Sequence, residues 1–194
     1  MTEDIRAAVA AERRDQAELL AELTEEQWNA PSLCEGWRVK EVIAHTTLPF
    51  RSSGGRVILE ILKSAGRFNH ASDRMARNDA AALSTNDLLG SLKANIDHPW
   101  TPPGGGPTGA LSHDVIHGLD ITVALGLDRR VPHDRLKLVL DGMKPSNVKY
   151  FGADLDGKRL EATDMNWTFG EGTPVRGLAQ ELLLLVCGRT LPEG

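Results

Sequence analysis

The sequence predicts a mainly α protein in which a helical bundle precedes a small α+β unit. Across the first three quarters of the chain, long stretches rich in Ala, Leu and Glu repeat their apolar residues at helical spacing. Near Tyr150 the pattern changes to short segments separated by Gly and Asp, which are typical of a β-hairpin. These observations divide the chain into a bundle at residues 1–148 and a C-terminal extension at residues 149–194.

Composition and charge exclude several classes of protein. The 194 residues carry 22 basic and 27 acidic side chains with no basic cluster, so we expect no nucleic-acid partner. The longest apolar run, at 182–187, is too short to cross a bilayer, and the N-terminus has acidic residues where a signal peptide would be basic. We therefore expect a cytoplasmic protein with no membrane partner.

The two cysteines, Cys34 and Cys187, are too few and too far apart for a disulfide framework or a cysteine-based zinc site. Free cysteines are among the residues that proteins bury most often. We expect both thiols to be reduced and to have structural roles.

Helices account for most of the predicted bundle. Thr24 and Gln27 have the form of a capping box, and the apolar spacing after Arg38 makes Val39 and Val42 core positions. The predicted elements are helix 1–23, a helical turn from 24, helix 38–48, a helical segment at 56–68 with an undecided continuation to 83, helix 84–96, loop 97–109, helix 110–126 and helix 132–144. The loop is expected because prolines and three consecutive glycines disfavour regular structure.

The C-terminal extension is predicted as a hairpin and a helix. The pair Asp156-Gly157 is a strong hairpin signal, and the segment 165–172 could add a third strand with Trp167 and Phe169 on one face. A last helix is expected to begin with Thr173 as its cap and Pro174 at its first position, and to end at Gly188.

A group of polar side chains stands out in the helix predicted at 110–126. At about 100° per residue, His113, His117 and Asp120 fall within one narrow stripe beside the apolar face of that helix. Two imidazoles one helical turn apart project side by side and can bind one ion. The pair supplies only two ligands.

A tight divalent-metal site with an open position usually needs three protein ligands. His45, on another helix of the bundle, is the natural third. Asp120 could accept a proton from the second ring nitrogen of a ligand and so fix its tautomer. The other interpretation, three ordinary packed histidines, stays open at this point. His70, His98 and His133 lie in polar or Pro-rich contexts and are treated as surface residues.

The segments "PSLCEGWRVKEVIAH" and "LSHDVIHGLD" together resemble the DinB-like metal-binding four-helix bundle superfamily, and within it the mycothiol-dependent maleylpyruvate isomerase-like branch. The tail from "FGADLDGKRLEATD" onward is similar to the C-terminal α+β region of many such proteins. The resemblance implies a DinB-like up-and-down bundle in which His45, His113 and His117 hold a divalent metal. Zinc is the first expectation, with nickel and iron as alternatives.

One departure from the isomerase branch concerns His113. That branch often has Glu at this position, whereas this chain has an all-histidine set, as in other DinB-like members. The departure bears on the particular isomerase activity more than on the metal.

The resemblance also implies chemistry. The metal would hold a mycothiol-like thiol as its thiolate, which adds to a small electrophile for S-transfer or cis-trans isomerisation. Arg189 resembles a substrate-binding arginine of the isomerase branch, and its other interpretation is a cation at a helix C-terminus. A homodimer is compatible with the resemblance.

Two other functions remain open from the sequence. One is a non-catalytic metal-binding or stress-response bundle, and the other is a metal-dependent hydrolase that uses hydroxide at the open position. The loop at 97–109 leads directly into the helix that carries two of the histidines, so it is either a flap over the metal or a passive linker.

Overall fold

The computed structural model describes residues 2–64 and 67–192. These residues form ten helices and three short strands, so the predicted mainly α class is confirmed. In chain order the elements are α1 Thr2–Ala21, α2 Glu25–Asn29, α3 Val39–Arg51, α4 Gly54–Lys63, α5 Phe68–Ala82, α6 Thr85–Ala94, α7 Gly106–Thr122, α8 His133–Asp141, α9 Pro145–Phe151, β1 Lys158–Ala162, β2 Thr168–Gly170, β3 Thr173–Gly177 and α10 Ala179–Val186. Residues 65 and 66 of the helical segment predicted at 56–68 lie outside the described residues.

Helix α7 lies at the centre of the bundle. It packs against four other helices, α1, α3, α8 and α10. Its predicted apolar positions Leu111, Val115 and Leu119 are fully buried, as are Val39 and Val42 of α3. Because α3 and α7 contact each other directly, polar side chains on their facing surfaces can meet inside the bundle.

The predicted bounds of α7 were wrong at both ends. The helix begins at Gly106 and ends at Thr122, four residues earlier at each end than expected. The glycine- and proline-rich sequence does not prevent the first turn, because Pro107 stands where a backbone N–H would lack a partner within the helix. The loop before α7 is correspondingly shorter and ends at Gly105.

Two helices were not predicted. The undecided segment before residue 83 forms α5, where Asp79 accepts hydrogen bonds from Arg51 and Arg56 at 2.6 Å each. Those contacts offset the weak helix propensity of its Asn and Asp residues. Helix α9 begins with Pro145 in its first turn and ends at Gly152, whose φ is +70°. It runs across residue 148, and the division of the chain at that point stays a prediction.

The hairpin prediction at Asp156-Gly157 was wrong. The residues before this pair belong to α9 and to a connecting segment, so the pair forms a turn that leads into β1. The hairpin is the antiparallel pair β1 and β2, in which Leu160 lies opposite Phe169. The expected third strand is present as β2, and the rings of Trp167 and Phe169 stack at 5.9 Å.

The predicted start of the last helix was also wrong. Thr173 and Pro174 belong to β3, which pairs in parallel with β1, and the helix begins at Ala179. The sheet order β2-β1-β3 puts β3 at an edge, where a proline lacks no required donor. Gly188 ends the helix as expected, with φ +70°.

The C-terminal unit is attached to the bundle by α10. Leu182 and Val186 pack with Leu160 of β1, and α10 also contacts α7 and α8. The chain that leaves α10 therefore returns to the helix that carries His113 and His117. Within the described residues, no helix combines the length and apolar character that a membrane crossing requires.

The start of α3 supplies a test of an ion pair between the buried Glu41 and the half-exposed Arg38. Glu41 accepts hydrogen bonds from the backbone N–H of Arg38 and from its guanidinium at 2.6–3.0 Å. Burial alone would raise the pKa of Glu41, but the hydrogen bonds from Arg38 outweigh it and hold the pKa below its ordinary value of 4.5. A lowered pKa in the folded state stabilises the fold above pH 4.5, and this contribution is lost as the pH falls through the folded-state pKa.

We expect Glu41→Gln to lower the free energy of unfolding by about 1 kcal/mol near neutral pH and by much less in acid, since the contribution of the ionised carboxylate is lost as the pH falls below 4.5 and through the folded-state pKa. Urea unfolding of both proteins at about pH 7 and about pH 3 measures the difference. The exposed Glu22→Gln is the matched control. An equal deficit at both values of pH would contradict the prediction.

Candidate metal centre

Three imidazoles from two helices converge inside the bundle. His45 comes from α3, and His113 and His117 come from successive turns of α7. One ring nitrogen of each lies within 4.8 Å of the others, and Nε2 of His45 is 3.1 Å from Nε2 of His113. The structure thus brings together the three histidines predicted as metal ligands.

The second ring nitrogen of each histidine has its own partner. Nδ1 of His45 is 3.0 Å from Oγ of Ser72, and Nδ1 of His113 is 3.0 Å from Oδ1 of Asp114. Nδ1 of His117 is 3.0 Å from Oδ2 of Asp120. These contacts fix the ring orientations and direct Nε2 of His45 and His113 toward the shared space.

Two of these three partners were missed by the sequence analysis. Asp120 was predicted from helical spacing. Asp114 follows His113 directly and therefore falls outside the stripe of residues three or four positions apart. Ser72 lies in the segment whose structure was undecided. A search for hydroxyls and carboxylates at every spacing from the histidines could have found Asp114.

The donor set fits a divalent metal. Zinc–nitrogen bonds of about 2.0–2.1 Å at tetrahedral angles separate two ligating nitrogens by roughly 3.3 Å, close to the distance between His45 and His113. Burial lowers the pKa of His45 well below its ordinary value and also lowers that of His117, so both rings are held neutral. Neutral imidazole is the form that binds metal.

The proton on His45 can occupy either ring nitrogen. With its proton on Nε2, His45 donates to Nε2 of His113 and accepts from the hydroxyl of Ser72. With its proton on Nδ1, His45 donates to Ser72 and presents a free Nε2 lone pair. The hydroxyl serves both arrangements, so the contact with Ser72 is compatible with a His45 ring that offers its Nε2 lone pair to an ion.

Asp120 is held by an arginine from the C-terminal unit. Nε and Nη2 of Arg189 donate to its two carboxylate oxygens at 2.7 and 2.9 Å. Asp120 is fully buried, which alone would raise its pKa, but the hydrogen bonds from His117 and Arg189 outweigh burial and lower the pKa of this carboxyl. Asp120 is therefore ionised and accepts a hydrogen bond from Nδ1–H of His117.

The thiol of Cys34 lies beside Asp120, and its Sγ is 3.7 Å from Nδ1 of His117. Its Sγ donates to Oδ2 of Asp120 at 3.0 Å and lies 3.4 Å from Nη2 of Arg189. Burial raises the pKa of Cys34, and it raises the pKa of Cys187 to about 12. Cys34, His117 and Asp120 form a second cluster of metal-ligating residue types, but the guanidinium of Arg189 already neutralises its carboxylate.

The three histidines open into a cavity of about 910 Å³. Its walls come from α5, the loop that ends at Gly105, α9 and the indole of Trp37. Trp100 of the loop packs edge-on against His113, with ring centroids 5.2 Å apart. The charged side chains that line it are Arg189 and Lys144, and none of its described lining residues is Asp or Glu. The cavity therefore favours anionic ligands.

Arg189, predicted to bind an anionic substrate, does lie in the cavity wall. Its guanidinium is bonded to Asp120 on one edge, and Nη1 donates to the carbonyl of Cys187 at 3.4 Å. The substrate contact stays a prediction. His70 and His133 are exposed as expected, but His98 is half-buried, with its ring 5.0 Å from that of Phe50.

Fold and site together define a helical bundle with a three-histidine centre at the floor of a large cavity. Residues 9–121, more than half of the chain, match the family model described as the mycothiol maleylpyruvate isomerase N-terminal domain. The chain belongs to this family, which takes its name from a thiol-dependent isomerase. At the level of the family, it therefore stands among thiol-dependent enzymes.

Two solved structures resemble the chain over nearly its whole length. One is the crystal structure of the mycothiol-dependent maleylpyruvate isomerase, with a TM-score of 0.58 and 13% identity, covering 98% of this chain and 90% of that one. The other is a histidine-to-alanine mutant of that isomerase, with a TM-score of 0.56, 12% identity and the same coverage. A search of the curated proteins gave no match. At these identities the likeness shows a shared fold.

Both cysteines are expected to be inert in the folded protein, because burial and a raised pKa deny them the thiolate form. A thiol-reactive disulfide reagent added at about pH 8 should label neither cysteine of the native chain. The same reagent should label both after unfolding in guanidinium chloride. Rapid labelling of one thiol in the native protein would contradict this expectation.

Proposed function

We propose that this protein is a metal-dependent enzyme that uses a low-molecular-weight thiol, of the mycothiol kind, on a small anionic electrophile. His45, His113 and His117 would hold the metal, with zinc as the expected ion. The observation that carries the proposal is the convergence of three imidazole nitrogens within 4.8 Å at the floor of a 910 Å³ cavity. The family supports thiol dependence at a coarser level.

The donor set suits thiol activation because all three ligands are neutral. A divalent ion bound by these imidazoles would keep its full positive charge and would favour the thiolate form of a bound thiol near neutral pH. The negative charges of Asp114 and Asp120 are each balanced by an arginine, through Arg13 and Arg189. Neither carboxylate therefore cancels the positive charge that a thiolate would face.

The nucleophile is expected to come from outside the chain. Cys34 and Cys187 are buried, and burial raises the pKa of each thiol. A cavity of 910 Å³ is near the upper end of the range for small-molecule sites, so a thiol cosubstrate and a small electrophile can occupy it together. This agreement between inert internal thiols and a large cavity supports a bound cosubstrate.

The substrate is proposed to be anionic. Lys144, at the start of α9, is exposed and lines the cavity. Arg189 also lines the cavity, but its Nε and Nη2 already donate hydrogen bonds to Asp120. A carboxylate-bearing electrophile would meet Lys144 first and could share the remaining N–H groups of Arg189. This division of roles refines the sequence prediction, which assigned the contact to Arg189 alone.

The proposed reaction begins when the thiolate sulfur attacks an electrophilic carbon of the substrate. For a conjugated double bond, the new C–S bond turns the C=C bond into a single bond, and its electrons move to the conjugated carbonyl. Rotation about that single bond and loss of the thiolate restore the double bond in the trans form. If protonation of the adduct replaces elimination, the same addition amounts to S-transfer.

The cellular location and the partners of the protein are part of the same proposal. A cytoplasmic location would keep the thiol cosubstrate reduced. The homodimer and the absence of nucleic-acid partners stay predictions, as does the role of the loop before α7 as a gate.

Metal content is the first test of the centre. We expect about one equivalent of zinc in protein purified without a histidine tag, and its loss from His45→Ala and His113→Ala, because two imidazoles do not complete a tight site. The exposed His70→Ala is the control and should keep the metal. Mass spectrometry of the purified proteins measures this. A folded wild type that takes up no added zinc would contradict the proposed centre.

Thiol dependence is tested on the zinc-loaded protein with mycothiol and maleylpyruvate as the first electrophile. We expect turnover that requires both metal and thiol and that falls at least about 100-fold in His113→Ala, because the variant loses a ligand. Omission of the thiol is the matched control. Turnover without thiol would favour the hydrolase, and retained metal without reaction across a panel of electrophiles would favour the non-catalytic bundle.

A further inference from the structure

Arg13 is a buried charge on a helix that carries none of the proposed metal ligands. It lies on α1 and exposes 1% of its surface. A guanidinium has five N–H donors and is expensive to bury unless they are bonded. The partners of Arg13 therefore indicate what this helix contributes to the molecule.

The first partner of Arg13 leads to the metal centre. Its Nε donates to Oδ2 of Asp114 at 2.8 Å, and Oδ1 of the same carboxylate is 3.0 Å from Nδ1 of His113. Asp114 thus uses one oxygen for the arginine and the other for the histidine. The arrangement parallels that of Arg189, Asp120 and His117, so each histidine of α7 is backed by an aspartate and an arginine.

The second set of partners leads to the cavity wall. Nη1 of Arg13 donates to the backbone carbonyl of His98 at 2.8 Å and to those of Asn95 and Ile96 at 3.3 and 3.4 Å. This segment continues to Trp100, which lines the cavity and packs against the ring of His113. The guanidinium of Arg13 therefore bonds both Asp114, which contacts His113, and the backbone that leads to Trp100 beside the same ring.

The third contact of Arg13 leads to α3. The guanidinium lies 5.0 Å above the ring of Phe50, which is on the helix that carries His45. The ring of Phe50 in turn packs against that of His98. Arg13 consequently contacts α3, α7 and the segment at 95–98 at one point.

We infer that Arg13 is a positioning residue for the metal centre. It holds His113 in ligating orientation through Asp114 and, through the backbone at 95–98, holds Trp100 of the cavity wall against the same ring. The inference rests on the proposed function only in taking His113 as a metal ligand. It assigns to α1 a role in the geometry of the site that its sequence does not reveal.

The competing explanation is that Arg13 is simply a buried ion pair that stabilises the bundle. Arg135 provides the matched control, because it is also nearly buried and bonds Glu12 and Asp15 of α1. No contact described for Arg135 reaches a histidine of the centre or the segment at 95–100. Arg135→Met should therefore reproduce the loss of a buried pair without disturbing the site.

The first measurement is zinc affinity, by competition with a chromophoric chelator. We expect Arg13→Met to weaken zinc binding by 10- to 100-fold, as loss of a partner behind a metal ligand typically does, and Arg135→Met to change it less than about threefold. Arg13→Lys keeps the positive charge but not the planar fork, so an intermediate loss is expected. This variant keeps the test open if Arg13→Met does not fold.

The second measurement asks whether Arg13 acts through Asp114. A double-mutant cycle compares the effect of Arg13→Lys on zinc affinity in the wild type and in Asp114→Asn. The effect should be much smaller in Asp114→Asn, because the contact from Arg13 to His113 through Asp114 is already lost. Additive effects would contradict the assigned pathway.

The third measurement needs no metal. Hydrogen exchange of the metal-free protein should accelerate at the amides of His98 and Trp100 by at least about tenfold in Arg13→Met, relative to Arg135→Met. Suppose that the wild type binds zinc and that the Arg13 and Arg135 variants lose zinc affinity and amide protection equally. This result would overturn the inference and leave the proposed metal site intact. Zinc binding that follows the expected order, without thiol-dependent turnover, would overturn the proposed reaction and leave the positioning role in place.

Discussion

The packing of α3 against α7 is the constraint on which the centre depends, because neither helix carries all three imidazoles. The distance of 3.1 Å between His45 and His113 is set by the separation of the two helices. That separation is fixed by buried apolar residues of both helices that pack in one cluster, among them Val42 of α3 and Ile121 of α7. Well-packed interiors have little freedom to adjust, so the core sets the geometry of the polar site.

The two carboxylates on α7 impose a second constraint. Asp114 and Asp120 are buried, and a buried carboxylate is tolerated only when it is paired and hydrogen-bonded. Each therefore needs a cation from another part of the chain, which is Arg13 from α1 for the first and Arg189 from the C-terminal unit for the second. The first helix and the last segment of the chain are thus joined to the same helix of the centre.

The position of the α+β unit on the bundle is explained by Arg189, which this unit brings to Asp120. Its sheet buries Leu160 against α10, and α10 packs on α7, which brings the chain at Arg189 back to Asp120. The unit does not supply a proposed metal ligand. It supplies Arg189, which pairs with Asp120. Without this cation the carboxylate beside His117 would be buried unpaired.

Much of this organisation could be predicted from the sequence. Helical spacing located His113, His117 and Asp120, and the need for a third ligand on a facing helix pointed to His45. The apolar periodicity of α3 and α7 identified their buried faces. The failures have local causes. Thr173 and Pro174 suit a helix start as well as an edge strand, and only the pairing with β1 decides between them.

The contacts of Arg13 were beyond prediction for another reason. Its hydrogen-bond partners lie 82 to 101 positions away along the chain, and no periodicity connects residues so far apart. Asp114 was not predicted because neighbouring residues on a helix normally project in different directions. In this structure its carboxylate lies against the ring of His113, the residue before it. Interactions of this kind follow from the tertiary packing alone.

The cavity walls have a further consequence for how such a molecule can diversify. Much of the surface that would face a substrate comes from the loop before α7, from α9 and from the start of α5, and none of these segments supplies a proposed metal ligand. Helix α7 contributes the part of the wall nearest the histidines. Loops and short surface helices tolerate substitution far better than a packed helix pair. Changes in these walls could therefore alter which molecule is accepted while the reactive centre stays as it is, so that one scaffold could serve many different small electrophiles.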